Sequence, residues 1–446
     1  MENDVLEEGV FFALQEPRFV ANPYPLFRAL RLEAPLYWDF VLGGWFLTRY
    51  ADVRAALADP RLTTTSSPFD ITQLPPKLQR DLAPFGRVMD KVVLYTDAVE
   101  HARLRLPLNR AFNPAAFEEL RPKMESTADE LLAKAGKHKS MDVVTDYARP
   151  IADCMMSELL VLPEPDRAGF IRDCDRIKEF TMARRVGKET VARARVAATS
   201  FQSIRGYVRA LMSRKPQSSN SDMIGRSLAT EANESPLSED DILANCVLFL
   251  HTGALNMSAS ITNAVSSLLQ HPKEFDRLRD GSVTITAAIE ELLRYETPIQ
   301  VSLRGVPDEI DFAGQTIGPK QLLVLLLGAA NRDPEVFPDP DRLDLGRRPN
   351  HHLSFGAGPH GCVGNWMARF GLTIALRAIL DRQTSLRLKS KTMKWELPAI
   401  WRTLRTLPVS ITRRLPSTRR LQVRLTSDAL SGINGASPAL GRASSR

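Results

Sequence analysis

The residue in this chain best placed for chemistry is Cys362, within Ser354–Gly364, S-F-G-A-G-P-H-G-C-V-G. Four glycines crowd around one thiol, and His360 stands two residues before it. Glycine at this density means backbone held close to something, or backbone in conformations that other residues avoid. A cysteine there is either positioned for chemistry or sits in an ordinary turn. Its reactive and metal-binding form is the thiolate. The next residues, G-N-W-M-A-R-F-G-L-T-I-A-L, begin a helix whose N-terminal dipole favours an anionic sulfur. Two further pairs have informative spacing. Glu291 and Arg294 place a carboxylate and a guanidinium on one helix face, and His101 and Arg105 stand four apart. Taken singly, each of these residues fits packing or a solvated surface as well as a site.

The elements that would carry them read as helices, with apolar residues at three- and four-residue spacing. Examples are Tyr24–Leu32, Tyr50–Leu57, Glu100–Phe112, Met124–Ala135 and Ile151–Leu160, with a long central helix over Asp240–Gln270. Ser238 as N-cap and Asp241 three residues on mark the start of that helix as a capping-box variant. Strand-like pieces are few: Gly44–Thr48, Val301–Gly305, the surroundings of Ile317, and Gln321–Leu327. Ala329–Asn350, dense in Pro and Asp, reads as a folded coil leading into the cysteine segment, and Lys215–Ser221 as a polar loop. The expectation is a mainly α fold with small β-sheets, one large domain over residues 1–414 and a basic, disordered tail over 415–446.

Composition narrows the function classes. The chain has 446 residues, 43% hydrophobic and 25% charged, which is ordinary for a globular protein. Of the net charge of +7, the tail with its five arginines and one aspartate supplies +4, so nucleic-acid binding is not implied. Cys154, Cys174, Cys246 and Cys362 form no C-x-x-C pair and no zinc pattern, which argues against a disulfide framework and for a reducing cytoplasm. The acidic N-terminus lacks the order of a signal peptide, and no apolar run approaches the ~20 residues of a membrane span.

Phe355–Gly364 matches F-x-x-G-x-x-x-C-x-G in full and resembles the haem-binding loop of the cytochrome P-450 enzymes, the haem-thiolate monooxygenases. The rest follows in family order: the E-x-x-R helix, T-P-I-Q-V-S-L-R, N-R-D-P, P-D-R-L-D and then the cysteine loop. The resemblance, to bacterial members, runs from about Asn22 to Arg413. It implies haem b (iron-protoporphyrin IX) with Cys362 as metal ligand, Phe355 in the haem loop, and His101, Arg105, Arg304 and His360 on the haem carboxylates. It also implies that Glu291 and Arg294 brace the loop together with a coil residue, Arg342.

The central helix departs from the family pattern, A/G-G-x-D/E-T-T. Here H-T-G-A-L-N-M-S-A-S keeps Gly253 but has Leu255 for the acid and Asn256 for the alcohol. Leucine carries no proton, whereas the Asn256 amide still holds water by hydrogen bonds. Gly253 and Asn256 are therefore the candidate catalytic positions, with protons coming from ordered water, the substrate or His251. Three readings remain open: an O2- and electron-dependent monooxygenase, a peroxide-using or non-oxygenating enzyme (peroxygenase or isomerase), and a haem protein that binds a ligand without turnover.

The resemblance implies electrons from a ferredoxin and ferredoxin reductase, an acidic ferredoxin docking near Arg103, Arg110 and Arg369. Phe69, Phe85, Met89 and Val92–Leu94, with Leu255 and Met257, suggest an apolar small-molecule substrate. A secondary metabolite such as a terpenoid is expected, gibberellin-type diterpenoids among them.

Overall fold

A computed structural model describes residues 9–64, 72, 74–181, 188–213, 237–382, 384–396 and 401–413. Residues Met1–Arg413 make one unit. The basic tail and the polar stretch Lys215–Ser221 lie outside the described residues. The elements that position the site begin with α1 (Tyr24–Glu33), β1 (Leu36–Asp39), β2 (Gly44–Leu47), α2 (Tyr50–Ala58) and α3 (Pro76–Met89). There follow α4 (Ala98–Ala111), α5 (Pro114–His138), α6 (Arg149–Leu159), α7 (Glu164–Thr181) and α8 (Lys188–Met212). The second half supplies α9 (Glu239–Leu248), α10 (Ala254–Gln270), α11 (Ile285–Tyr295), β3 (Val301–Gly305), β4 (Leu322–Leu326) and α12 (Asn365–Asp381).

The fold is mainly α with small sheets, as expected. The largest sheet has the order β1-β2-β4-β3, with β2 parallel to β4 and the other pairs antiparallel. β4 is an apolar run, L-L-V-L-L, because it is the inner strand with helices against it. Opposite Leu323 on β4 sits Arg304, whose strand is therefore fixed by a buried neighbour. The residues around Ile317 form a hairpin, Gln315–Ile317 against Ile310–Phe312. Among the described residues no helix is long and apolar enough to cross a membrane.

The run read as one helix over Asp240–Gln270 contains a break. α9 and α10 are joined by a π-helical turn, Phe249–Gly253, one residue wider per turn than an α-helix. The start is as expected: Ser238 Oγ accepts from the Asp241 N–H at 3.2 Å, and Asp241 Oδ2 accepts from the Ser238 N–H at 2.8 Å. Lys91 and Arg103 also reach Asp241, each at 3.1 Å, which ties the helix start to α4 and the segment before it. Beyond the break, almost every side chain from Met257 to Leu268 is buried, so α10 runs through the core.

Glu291 and Arg294 on α11 are fully buried and joined by two hydrogen bonds, of 2.7 and 2.9 Å. Arg294 also donates to the carbonyls of Asn331 at 2.8 Å and Pro340 at 2.9 Å. The coil partner differs from the expected one. Arg347, not Arg342, brings its guanidinium to Glu291 at 3.1 Å, while the Arg342 side chain is exposed and only its carbonyl accepts from Arg294. The coil turns so that the Asp344 N–H and the Asn350 amide also reach the Glu291 carboxylate, at 3.0 and 3.1 Å. From there Asn331 accepts from the Leu353 N–H at 2.6 Å and donates to Ser354 at 2.9 Å, so the brace ends at the first residue of the cysteine segment. Glu291→Gln should strand two buried guanidiniums and cost roughly 3–5 kcal/mol of stability, read by denaturant unfolding. A loss below about 1 kcal/mol would remove the pair from this role.

Candidate active site

The cysteine segment folds back on itself before α12. The Cys362 N–H donates to the Phe355 carbonyl at 2.8 Å, and the Gly361 N–H to the Gly358 carbonyl at 3.0 Å. Gly358 has φ +70°, and a Cβ there would lie 2.7 Å from the Leu57 carbonyl oxygen, so the loop can pass the end of α2 only as glycine. Protein surrounds Cys362 on nearly all sides, yet the residue keeps an open surface. Burial pushes its thiol up, opposed by the Gly364 N–H and by Arg105 and Arg369. Burial thus opposes the anionic form, while an N–H and two nearby guanidiniums favour it.

All four expected carboxylate-binding residues gather beside it. The rings of His101 and His360 are 4.0 Å apart, and Arg105 donates to the Gly361 carbonyl at 2.5 Å. Arg304 is 5% exposed and lies within electrostatic reach of His360. Burial holds His360 down at about 4, with His101 and Arg304 adding to the effect against Asp97. Burial, then Arg105, lowers His101 as well. Both imidazoles are therefore neutral near pH 7 and keep one N–H each to donate. The acid in this cluster is Asp97, which sequence reasoning missed. It accepts from the Thr64 N–H at 3.0 Å and stands 3.3 Å from His360 Nε2. Its position directly before the His101 helix was the available signal.

This arrangement fits haem. His101 Nε2 is buried without a partner, and among the described residues neither Arg105 nor Arg304 meets a carboxylate. Burial lowers both guanidiniums, as expected where a compensating anion is short. Two propionates would supply that anion and accept the unused donors. No group of three His, Cys, Asp or Glu side chains able to hold a metal ion occurs among the described residues.

The other side of the site is the break in the central helix. Thr252 Oγ1 donates to the Leu248 carbonyl at 2.8 Å, and Ser260 Oγ to the Asn256 carbonyl at 2.7 Å. Asn256 is half-buried, and its amide meets no protein partner among the described residues. Gly253 closes the π turn; a Cβ there would sit 3.3 Å from both Met156 Sδ and Met367 Cε, so its smallness lets α6 and α12 approach. Thr252, one turn before Asn256 on the same face, is a hydroxyl that motif matching passes over. The side chain of His251 lies outside the described residues.

Two expectations about apolar lining change. Leu255 and Met257 flank Asn256 and point elsewhere, since neighbouring residues on a helix diverge by about 100°. Leu255 closes a small cavity against α6 and α7, and Met257 packs on Gly371 of α12. Phe85, Val92 and Val93 are core residues, Phe85 against Phe201 with ring centroids 5.1 Å apart, whereas Met89 is half-buried and Leu94 exposed. Phe69 lies outside the described residues.

A model described as Cytochrome P450 matches residues 283–398. The "Biotin biosynthesis cytochrome P450" of Bacillus subtilis (strain 168) is 32% identical over 88% of this chain and 97% of its own length. The chain belongs to the cytochrome P450 family. The "Vitamin D(3) 25-hydroxylase" of Pseudonocardia autotrophica is also 32% identical, over 82% of this chain and 87% of its own. Among solved structures, P450BioI in complex with hexadec-9Z-enoic acid ligated acyl carrier protein superposes with a TM-score of 0.79, covering 90% of this chain and 100% of that one, at 32% identity. As a cytochrome P450 monooxygenase the chain binds haem and acts as an oxidoreductase, which sets aside the reading as a ligand binder without turnover.

This P450 also braces its cysteine loop from below with a group the motifs do not include. Glu290, next to Glu291, pairs with Arg369 at 2.7 Å and His352 at 3.1 Å, and the Arg369 guanidinium lies 4.6 Å over the Phe355 ring. Burial alone would raise Glu290, but His352 and Arg369 outweigh it and hold its carboxyl down at about 2. A carboxyl depressed from its ordinary 4.5 to about 2 adds stability that is complete above the ordinary value and is lost as pH falls between the two. That contribution is on the order of 3 kcal/mol. Glu290→Gln should flatten the acid limb of the unfolding curve in that window. An unchanged acid limb would contradict the brace.

Proposed function

We propose that Cys362 is the axial ligand of haem b and that His101, Arg105, Arg304 and His360 hold its propionates. Support comes from the partnerless His101 Nε2 and from two guanidiniums that meet no carboxylate among the described residues, beside a cysteine with an open surface. When bound, a haem with thiolate ligation supplies O2 activation. The chain's own residues then have limited tasks. The Gly364 N–H and the two nearby arginines favour the anionic sulfur. The Asn256 amide, lacking a protein partner, orients water or a substrate oxygen at the helix break. Cys362→Ser should still fold but lose the thiolate-type Soret band of the reduced carbon-monoxide adduct; retention of that band would overturn the assignment.

The substrate reading is an apolar polycyclic secondary metabolite of terpenoid type, which includes gibberellin-type diterpenoids. It is supported by Met89 and exposed Leu94 in the segment leading to Asp97. The relative named for vitamin D(3), a compact apolar molecule, points the same way. A binding screen read by the haem spin state should give shifts with terpenoids; shifts with polyketide macrolides alone would redirect the assignment.

Electrons come from a ferredoxin and its reductase. Three arginines are considered for docking, all with partners in the protein; Arg103 pairs with Glu100 and Asp241 and Arg369 with Glu290, while Arg110 is half-buried on α4 and lies outside both of those ion pairs. Arg110→Glu should slow reduction and flatten its salt dependence, measured by stopped flow; an unchanged rate would remove that contact. Leu255 in place of an acid keeps a second reading in view, a peroxide-driven enzyme. Product formed with hydrogen peroxide but not with O2 and ferredoxin would favour it.

A further inference from the structure

Leu255 cannot pass a proton, but the surroundings of its side chain can. On the face of the central helix away from Asn256, Leu255 closes a cavity of about 20 Å³ with Met156, Arg149 and Asp153 of α6 and Asp175 and Lys178 of α7. That volume admits about one water; Arg149, Asp153, Asp175 and Lys178 supply the polar part of the wall, and Ile171, Cys174 and Ala254 complete its apolar part. Arg149 bonds Asp153 Oδ1 at 2.6 Å and Asp175 at 3.0 Å, and Lys178 stands 3.6 Å from Asp175. Two cations therefore balance two carboxylates, and a third carboxylate at position 255 would stand unmatched. Asp153 Oδ2, in contrast to Oδ1, has no protein partner among the described residues. The side chain is 21% exposed, so it exchanges protons with solvent while burial pushes its carboxyl up.

The inner wall of the same cavity leads to the helix break. Met156 lines it and also touches Gly253, the last residue of the π turn. At the break Thr252 Oγ1 already occupies the Leu248 carbonyl, so a route past the turn runs through water. We propose that Asp153 performs the proton supply that residue 255 cannot. Solvent protonates Asp153, its proton passes to the cavity water, and that water passes one on through further water at the π turn to the Asn256 side. The overall reaction, RH + O2 + 2 H+ + 2 e− giving ROH + H2O, consumes protons that solvent returns to Asp153, so the carboxyl ends each cycle as it began. The electrons are those of the external donor and are not involved in this transfer.

The test compares Asp153→Asn, Asp153→Glu and Leu255→Phe in the full-length haem protein with ferredoxin, reductase and a substrate from the spin-state screen. Product and released hydrogen peroxide are measured per electron donor consumed. Asp153→Asn should lower product per donor on the order of tenfold or more, with a matching rise in peroxide, and Asp153→Glu should recover most of it. Product formed with added peroxide in place of electrons should be retained, which separates lost proton supply from a damaged haem site. Leu255→Phe leaves the Arg149–Asp153 pair in place but fills the cavity, and should shift the partition in the same direction. A high-resolution crystal structure of the resting wild type should show one ordered water on Asp153, absent from Leu255→Phe. Wild-type partition in Asp153→Asn, or a dry cavity in the wild type, overturns the proposal.

Discussion

A carboxylate and a guanidinium closed off from water, Glu291 and Arg294, set the geometry on which the cysteine loop depends. Neither charge is tolerable alone in that position, so the coil must deliver partners to both. It does so with the Asp344 N–H, Asn350 and Arg347 on one side and with the carbonyls of Asn331 and Pro340 on the other. The pair thereby converts an irregular, proline-rich segment into a rigid mount. Asn331 passes that rigidity to Leu353 and Ser354, from which the loop starts toward Cys362. Glu290, Arg369 and His352 repeat the device under Phe355 with a single carboxylate between two donors.

A second electrostatic theme follows from the first. With the loop fixed, cationic and donor groups from three separate parts of the chain can be assembled without being neutralised by protein. His101 and Arg105 come from α4, Arg304 from an edge strand of the main sheet, and His360 from the loop itself. Among the described residues only Asp97 answers them, and it is already engaged by Thr64. The protein alone is thus electrically incomplete at this place, which is the condition for binding a dianionic cofactor tightly in an interior.

The cysteine stood out from its glycine-rich surroundings, while the four cationic or donor positions and the buried pair were legible only through the family resemblance, which fixes their order along the chain. Side chains outside that pattern were not legible. Asp97 and Glu290 are single acids whose partners lie on other elements, Asp153 shares with Arg149 an i,i+4 spacing common on solvated helix faces, and Arg347 rather than Arg342 meets Glu291 because a coil carries no periodicity from which to count. The helices around the site were visible from their apolar spacing, with ends shifted by a few residues except where Met124–Ala135 proved to begin ten residues earlier, at Pro114. The π turn was not, since it is a change in backbone pairing without a residue signature. The apolar role expected of Leu255 and Met257 failed for a related reason: the sequence shows what a residue is, while helix phase decides which surface receives it.

The π turn carries a consequence for helical phase. One extra residue inside Phe249–Gly253 means that the two halves of the central helix are out of phase by about 100°. A helical wheel drawn through both halves assigns every position beyond the turn to a wrong sector, so the free amide of Asn256 owes its direction to that inserted residue as much as to its own chemistry. Selection on the site can therefore act on chain length at the turn, and a single-residue insertion or deletion there would re-aim the whole of α10 without altering one of its side chains.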